Sequence, residues 1–178
     1  MVTSRITLRP IDAADLSTVH QLFSLPETDK YNTLGIPPTI DDTKKIMDVW
    51  LDAQKIIPRE KYIYYAMNEK KEFVGIVGIN IGKPKYRLAE LWYKLHPAQW
   101  NKGYATEIVN SMIKYCFEDL KLHLVEAGCA FDNTASIKVL LKAGMQHEGM
   151  KRKLLPIRGN WIDGNLYAIL EEDFFNSK

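Results

Sequence analysis

Residues 91–120 read LWYKLHPAQWNKGYATEIVNSMIKYCFEDL, and the rest of the chain is organised around this stretch. A short apolar segment precedes Pro97, a polar turn ends in Gly103, and a helical pattern begins at once. Its apolar residues recur every three or four positions, as on the buried face of an amphipathic helix; they are Ala105, Ile108, Val109, Met112, Ile113, Cys116, Phe117 and Leu120. A strand, a glycine turn and a helix start in that order can hold phosphate on backbone N–H groups, although a plain strand-to-helix corner has the same order.

Composition limits the classes of protein to which this chain can belong. Its 178 residues are enough for one domain with a substantial core, and we expect a single domain over 1–178. The net charge of +2, with scattered lysines, argues against a nucleic-acid partner. No apolar run approaches the ~18 residues of a membrane helix, and the first ten residues lack a signal-peptide core. We therefore expect a cytoplasmic protein with no membrane partner.

The cysteines and histidines give no sign of a metal site. Cys116 and Cys129 both lie in apolar-patterned elements, which favours two buried thiols over a disulfide. The four histidines show no ligand spacing with each other or with cysteine, so no metal is expected.

The order of elements predicts an α+β (mixed α/β) domain, β-α-α-β-β-β-α-β-α-β-β. Alternating or β-branched runs predict strands at 3–9, 61–67, 72–81, 88–95, 123–131, 145–154 and 165–170. Asp12 and Thr39 open the first two helices, and 134–143 forms the last long one. Residues 27–38 are either a lid over a site or a simple connection. Pro156, Gly159 and Gly164 predict a loop around Trp161, and 171–178 is expected to contain one helical turn.

Four segments, taken together, resemble the GCN5-related N-acetyltransferases (GNAT). They are ITLRPIDAADL at 6–16, AELWYKLHPAQWNKGYATEIV at 89–109, DNTASIKVLLKAGMQHEGMKR at 132–152 and NWIDGNLYAIL at 160–170. Within the family they are most similar to the branch of ribosomal-protein alanine N-acetyltransferases (RimJ/RimL-like). The resemblance covers essentially the whole chain. It implies the GNAT fold, a central, mostly antiparallel, twisted sheet of about seven strands with a splayed parallel pair and four flanking helices.

The resemblance also implies an acetyl-CoA site. The family motif Q/R-x-x-G-x-G/A corresponds to 100–105, with Trp100 in place of the leading Gln or Arg and Asn101 where the branch often has Gly. Both changes are tolerable because backbone N–H groups, rather than these side chains, hold the pyrophosphate. The implied cofactor-binding residues of this loop are Trp100, Asn101, Lys102, Gly103, Tyr104, Ala105 and Thr106.

Two further parts of the chain are implied in cofactor binding. The pantetheine arm of the family lies between the two splayed strands, here 90–95 and 123–131, so the backbone near Leu95 and His96 is expected to contact it. Asn133 and Ser136 match the Asn-x-x-Ser of the branch. They either cap the following helix only, or cap it and also contact the cofactor near its thiol.

The catalytic residues are less strongly indicated. Glu90 matches a glutamate of the branch and is the best candidate for the general base, but a Glu paired with a neighbouring Lys or Arg on a sheet face is the alternative. Tyr93, on the opposite face, is expected in the core, and His96 is a second base candidate. Many relatives carry a tyrosine general acid at the position of Leu140 here, so Ser136 would have to replace it.

The resemblance implies an acetyl-CoA-dependent N-acetyltransferase that transfers acetyl directly to a primary amine. The acceptor would be a protein N-terminus or a small amine such as an amino acid, a polyamine or an aminoglycoside. The alternative is a non-catalytic acyl-CoA-binding module of the same fold, which the missing tyrosine leaves open. Close relatives are often dimers, so a homodimer is allowed, although no residue gives direct evidence for it.

Overall fold

The computed structural model describes residues 1–176, and its seven strands form one sheet in the order β1-β2-β3-β4-β5-β7-β6. The strands are β1 Ile6–Pro10, β2 Lys61–Asn68, β3 Phe73–Ile81, β4 Leu88–Leu95, β5 Leu124–Ala130, β6 Gln146–Ile157 and β7 Asn160–Leu170. Neighbouring strands are antiparallel except for β4 and β5, which are parallel. The predicted mixed sheet of seven strands with one parallel pair is thus confirmed.

Within residues 1–176 the structure has six α-helices, two more than predicted. They are α1 Leu16–Phe23, α2 Pro26–Asp29, α3 Ile40–Ala53, α4 Tyr104–Glu118, α5 Thr134–Lys142 and α6 Glu171–Asn176. The four longer ones are those that the apolar periodicity indicated. The short α2 occupies the start of the predicted lid or connection. The other short helix, α6, is the turn of helix predicted for residues 171–178, and residues 177 and 178 lie outside the described part of the chain.

The helix starts follow the side chains that the sequence offers as caps. Asp12 accepts from Ala14 N–H and forms a capping box with Asp15, at a short 3-10 turn that leads into α1. Thr39 accepts from Asp42 N–H at α3, and Asn133 accepts from Ser136 N–H at α5.

The predicted loop around Trp161 is wrong, because β6 and β7 form one long hairpin there. Pro156 pairs with Trp161 and Ile157 with Asn160, so only Arg158 and Gly159 remain in the turn. Both have positive φ, 49° and 76°, as a two-residue hairpin turn requires. Pro156 is tolerated because β6 is the edge strand of the sheet, where a missing N–H breaks no ladder.

The two faces of the sheet carry separate apolar layers. One layer packs α4 and α5 on the sheet and includes Leu91 and Leu95 of β4 with Ile108 and Met112 of α4. The other packs α1 and α3 on the opposite face and is joined by Trp92 of β4. Odd-numbered residues of β4 therefore face α4 and α5, and even-numbered residues face α1 and α3.

Both thiols are buried and free, as predicted for Cys116 and Cys129. Within residues 1–176, no helix has the length and apolar character needed to cross a bilayer. In the same part of the chain, no three His, Cys, Asp or Glu side chains are grouped so that they could hold a metal ion.

The segment before β1 is fastened to the first turn of α4 through Glu107. The carboxylate accepts from the Thr3 hydroxyl at 2.5 Å, the Ser4 hydroxyl at 3.1 Å and the Arg5 backbone N–H at 2.9 Å, and it forms an ion pair with the Arg5 guanidinium at 2.7 Å. Arg5 also donates to the Lys102 carbonyl at 3.0 Å. Burial raises the pKa of Glu107, but the hydrogen bonds from Thr3, Arg5 and Ser4 outweigh it, so the pKa is lowered.

We expect Glu107→Gln to lower the free energy of unfolding at pH 7 by about 1–3 kcal/mol, because several donors lose a charged acceptor. A carboxylate with a lowered folded pKa stabilises the fold above its unfolded pKa, and this contribution is lost as the pH falls through the folded pKa. The parent protein should therefore lose stability below about pH 4, and the variant should lose less. Urea unfolding between pH 7 and pH 3 measures both curves.

Glu69→Gln, in the exposed turn between β2 and β3, is the matched control and should leave the unfolding curve unchanged. If the free energies of unfolding of the parent and of Glu107→Gln change with pH in the same way, the Glu107 carboxylate does not contribute as described.

Candidate active site

The parallel strands β4 and β5 pair over three positions only and then separate. Leu88 pairs with Leu124, Ala89 with Val125 and Glu90 with Glu126, while β4 continues to Leu95 and β5 to Ala130. The unpaired halves, 91–95 and 127–130, border an opening in the sheet that we call the gap. This is the splayed parallel pair that the sequence predicted.

Backbone groups of β4 point into the gap at every second residue. The Arg87 carbonyl accepts from Leu124 N–H on the β5 side, whereas Leu88 C=O and His96 N–H bond to Gly82 and Val74 on the β3 side. Because successive residues of a strand alternate in direction, the N–H groups of Tyr93 and Leu95 face the gap. The Leu95 carbonyl accepts from the Trp100 indole at 2.9 Å.

His96 does not present its N–H to the gap, since this group donates to the Val74 carbonyl at 2.9 Å. Its imidazole Nδ1 accepts from Ala98 N–H at 3.2 Å and thereby caps the short 3-10 turn Pro97–Gln99. The contacts of His96 in the described part of the chain are therefore structural.

The loop before α4 has the conformation of an anion-binding helix start. Gly103 is the N-cap and has φ 80°, a conformation that few residues other than glycine adopt. The first intrahelical bond runs from Glu107 N–H to the Gly103 carbonyl at 3.2 Å. The N–H groups of Tyr104, Ala105 and Thr106 precede this bond and are therefore available to a ligand. The 3-10 turn Pro97–Gln99 and the loop 100–103 connect them to the C-terminal end of β4.

Cationic side chains stand beside this loop. A Cβ on Gly103 would lie 3.3 Å from the Arg5 guanidinium, so a positive charge stands beside the cradle. Lys102 donates to Gln99 at 3.0 Å, and Asn101 also has positive φ, 59°. Three free N–H groups, a glycine and two cationic side chains fit a pyrophosphate.

A pair of hydroxyl groups lies where α5 meets the gap. Ser136, in the first turn of α5, has its Oγ 2.7 Å from the Tyr93 hydroxyl of β4. Its backbone N–H donates to Asn133 at 3.2 Å, so the capping role of Asn133 is confirmed. Burial raises the pKa of Tyr93 to about 12, and the hydrogen bond with Ser136 lowers it only partly.

Sequence reasoning assigned Tyr93 to the core, and the structure packs it against the core, but the hydrogen bond of its hydroxyl to Ser136 was not predicted. Alternation places it on the same face as Leu91 and Leu95, and no local pattern distinguishes a core tyrosine from one that reaches a helix start in another part of the chain. Leu140, at the position of the tyrosine of many relatives, is completely buried and offers no hydroxyl.

The opposite face of the sheet carries carboxylates around the last paired position. Glu90 and Glu126 are register neighbours, which is unfavourable for like charges unless a cation lies between them. Glu90 accepts from the Asn80 amide at 3.4 Å, and among the residues that the structure describes it forms no ion pair. The alternative of a Glu paired with Lys or Arg is thus not what the structure shows.

A groove of about 440 Å³ runs past these carboxylates. Its lining residues come from β3 to β7, and its charged members are Glu90, Glu126, Glu148 and Lys151. Three carboxylates against one ammonium give it a negative potential, which attracts cations.

The segment 27–38 spans the side of the gap that Lys94 faces. Asp29 forms an ion pair with Arg158 of the β6–β7 turn at 3.0 Å, and the Tyr31 hydroxyl donates to the Asp132 carbonyl at 3.4 Å. Lys94 packs over the Phe23 ring at 4.3 Å, and burial lowers its pKa to about 8. The first two contacts tether the segment to the β6–β7 turn and to the residue before Asn133, while its role as a lid stays a prediction.

Asp163, in β7, accepts from Lys153 N–H at 2.7 Å and so supports the bulge of β6.

Comparisons with known proteins agree with this geometry. The family model described as Acetyltransferase (GNAT) domain matches residues 5–146. The chain is 44% identical over 155 residues to a probable N-acetyltransferase, YjcK, of Bacillus subtilis (strain 168), and the match covers 85% of this chain and 80% of the relative.

Solved structures show the same fold. A GNAT-family acetyltransferase from Bacillus anthracis superposes with a TM-score of 0.82 at 29% identity, over 97% of this chain and 98% of that one. Spermidine N-acetyltransferase from Vibrio cholerae, in complex with CoA and spermine, superposes with a TM-score of 0.86 at 21% identity, over 98% of this chain and all of that one.

The gap, the glycine at the start of α4 and these matches all indicate the same family. The RimJ/RimL-like branch stays a prediction. The chain belongs to the GNAT family of acetyltransferases and is an N-acetyltransferase.

Proposed function

We propose that this enzyme transfers an acetyl group from acetyl-CoA directly to the primary amine of a small, cationic acceptor. The observation that carries the proposal is the gap between β4 and β5, which has a phosphate cradle at one end and polar side chains of different chemistry on its two faces. A protein N-terminus is the alternative acceptor.

The residues that would hold acetyl-CoA follow one path along the gap. The N–H groups at the start of α4, from Gly103 to Thr106, would bind the pyrophosphate, with Lys102 beside them. Trp100, 43% exposed, and Asn101 shape the entrance, and the N–H of Leu95 would pair with the pantetheine arm. Asn133 and Ser136 would lie near the thiol. His96 would contribute only through its fixed position at the end of β4.

When bound, acetyl-CoA supplies a thioester, an acyl group that an amine can attack. Only the neutral form of the amine attacks, so an acceptor ammonium must first lose a proton. Glu90 is the proposed proton acceptor, directly or through one water, since its carboxylate is exposed at the last paired position of β4.

The N–H groups that face the gap would stabilise charge on the thioester oxygen. Tyr93 and Leu95 direct such groups into the gap, and a backbone donor fixed in a strand needs no reorganisation during the reaction. Ser136, on the other face of the sheet from Glu90, would assist the departing sulfur.

The charge of the groove favours a cationic acceptor over a neutral one. Glu90 and Glu126 stand side by side, and Glu148 lines the same groove. Two of the relatives are named for amine substrates, spermidine N(1)-acetyltransferase of Vibrio cholerae at 22% identity and L-amino acid N-acetyltransferase of Escherichia coli (strain K12) at 25% identity. The carboxylates of this chain support the polyamine class of acceptor.

We expect Gly103→Glu to abolish measurable acetyl-CoA binding, because a carboxylate at this φ is strained and repels the pyrophosphate. Isothermal titration with acetyl-CoA measures the effect. Gly159→Glu is the matched control, since Gly159 also has a positive φ of 76°, in a turn with open space around it. Equal affinities for the parent and Gly103→Glu would place the phosphate elsewhere.

For Glu90→Gln we expect kcat to fall about 100-fold or more with little change in acetyl-CoA affinity, because only deprotonation of the acceptor is impaired. The rate of thiol release as a function of pH measures it, and the profile should differ from that of the parent. Glu69→Gln should behave as the parent. A Glu90→Gln variant with the parent profile would remove Glu90 as the base.

The proposal as a whole is tested by thiol release from acetyl-CoA with polyamines, amino acids, aminoglycosides and N-terminal peptides. We expect the lowest KM for polyamines, and Glu126→Gln and Glu148→Gln should raise this KM but not that of amino acids. The difference in the KM for polyamines between the parent and these variants should shrink at high salt, because screening weakens the attraction of a cation to an open groove. Preferential turnover of peptides would favour the alternative acceptor, and tight binding without any turnover would favour the acyl-CoA-binding module.

A further inference from the structure

A buried amine on β4 has no hydrogen-bond acceptor. The Nζ atom of Lys94 is buried, and among the residues that the structure describes it makes no hydrogen bond. It lies 4.3 Å from the centre of the Phe23 ring of α1, an apolar neighbour. Buried ammonium groups are normally paired, because burial of an unpaired charge is costly. Stability alone therefore does not explain a lysine at this position.

An ion pair with Asp29 of α2 would be the structural explanation, but the structure does not form it. Asp29 is buried, and it uses its Oδ2 atom for Arg158 at 3.0 Å. Its Oδ1 atom has no hydrogen-bond partner either. Within residues 1–176, no ion pair joins Asp29 to Lys94, so the amine stays without a fixed partner.

The strand places this amine beside the gap. Lys94 is the register neighbour of Ile76 on β3, and the residues on either side of it, Tyr93 and Leu95, direct their N–H groups into the gap. Its side chain projects to the same face of the sheet as that of Glu90, four residues earlier. An acyl group whose oxygen accepts from Tyr93 or Leu95 would therefore lie next to the residue that carries the amine.

The amine is available for reaction near neutral pH. Burial lowers the pKa of Lys94 to about 8, and the charge of Asp29 opposes this only in part. About a tenth of the side chain is then neutral at pH 7, against less than about 0.1% for an exposed lysine. No hydrogen bond holds Nζ in place, so the flexible four-carbon stem of the side chain can turn it toward the gap.

We propose that Lys94 is an internal acetyl acceptor, a site at which the enzyme acetylates itself from acetyl-CoA when no other amine is bound. This inference rests on the proposed function, because it needs acetyl-CoA in the gap. The amine and the backbone groups that would hold the acyl group belong to one strand. The reaction is therefore intramolecular once acetyl-CoA is bound, and the amine has a high effective concentration.

The reaction needs only acetyl-CoA and water. The lone pair of the neutral Nζ attacks the carbonyl carbon of the thioester, the C–N bond forms, and the C–S bond breaks with its electron pair staying on sulfur. The proton that leaves Nζ passes to Glu90 or water, and water protonates the thiolate. The products are CoA and an acetylated Lys94, which carries no charge, so the unpaired ammonium is removed.

The test incubates the parent enzyme with acetyl-CoA that carries a deuterated acetyl group, without any acceptor amine, and measures the label on each lysine by mass spectrometry. Cleavage after glutamate leaves Lys94 and the exposed Lys102 on one peptide, residues 91–107. We expect Lys94 to be labelled at least about tenfold faster than Lys102 or the exposed Lys70, because a larger fraction of it is neutral. The rate per molecule should not depend on the enzyme concentration.

Two kinds of control separate a reaction in the gap from chemical acetylation in solution. Desulfo-CoA competes for the site without supplying an acyl group, so it should slow the labelling of Lys94 and leave that of Lys70 unchanged. Lys94→Arg keeps a cation and should remove the label at this position only. Lys70→Arg, in the exposed turn between β2 and β3, is the matched control and should label Lys94 as the parent does. If Lys94→Arg does not fold, the comparison of lysines within the parent carries the same test.

The possible failures are distinguishable. If acetyl-CoA does not bind and no amine is acetylated, the proposed function fails. This inference alone is overturned if acetyl-CoA binds and amines are acetylated, but Lys94 is labelled no faster than Lys102. It is also overturned if desulfo-CoA does not slow the labelling of Lys94, or if the rate per molecule grows with the enzyme concentration.

Discussion

The early end of the pairing between β4 and β5 is the constraint on which the rest of the structure depends. Backbone N–H and C=O groups inside a sheet need partners, and a parallel pair that stops after Glu90 and Glu126 leaves a row of them without a neighbouring strand. The row faces a narrow opening, so an extended ligand with amide groups can complete the sheet in the way that an added strand would. Everything else in the site is arranged around this opening.

Alternation along β4 divides the chemistry between two faces. Glu90 and Lys94 project to the side of α1 and α3, where the groove carries carboxylates, and Tyr93 projects to the side of α4 and α5, where it meets Ser136. The period of two in a strand thus places the carboxylates and the pair of hydroxyl groups on opposite faces of the sheet.

The phosphate end of the opening is stabilised by contacts distant in sequence. Glu107 accepts hydrogen bonds from Thr3, Ser4 and Arg5. Arg5 also donates a hydrogen bond to the Lys102 carbonyl and lies beside Gly103. The loop before α4 is therefore held in place from outside by the segment before β1. A loop fixed before ligand binding loses little entropy when it binds phosphate.

The sequence alone determined most of the elements and the glycine turn before α4, because both depend on local signals. The period of apolar residues defined α4, Asn133 and Thr39 marked helix starts, and Gly103 marked a turn that needs positive φ. Only the tertiary structure placed Glu126 beside Glu90 and Tyr93 against Ser136, since each pair joins residues 36 or 43 positions apart along the chain. It also turned the predicted loop around Trp161 into a hairpin, because Pro156 is acceptable on an edge strand and local sequence does not say which strand is the edge.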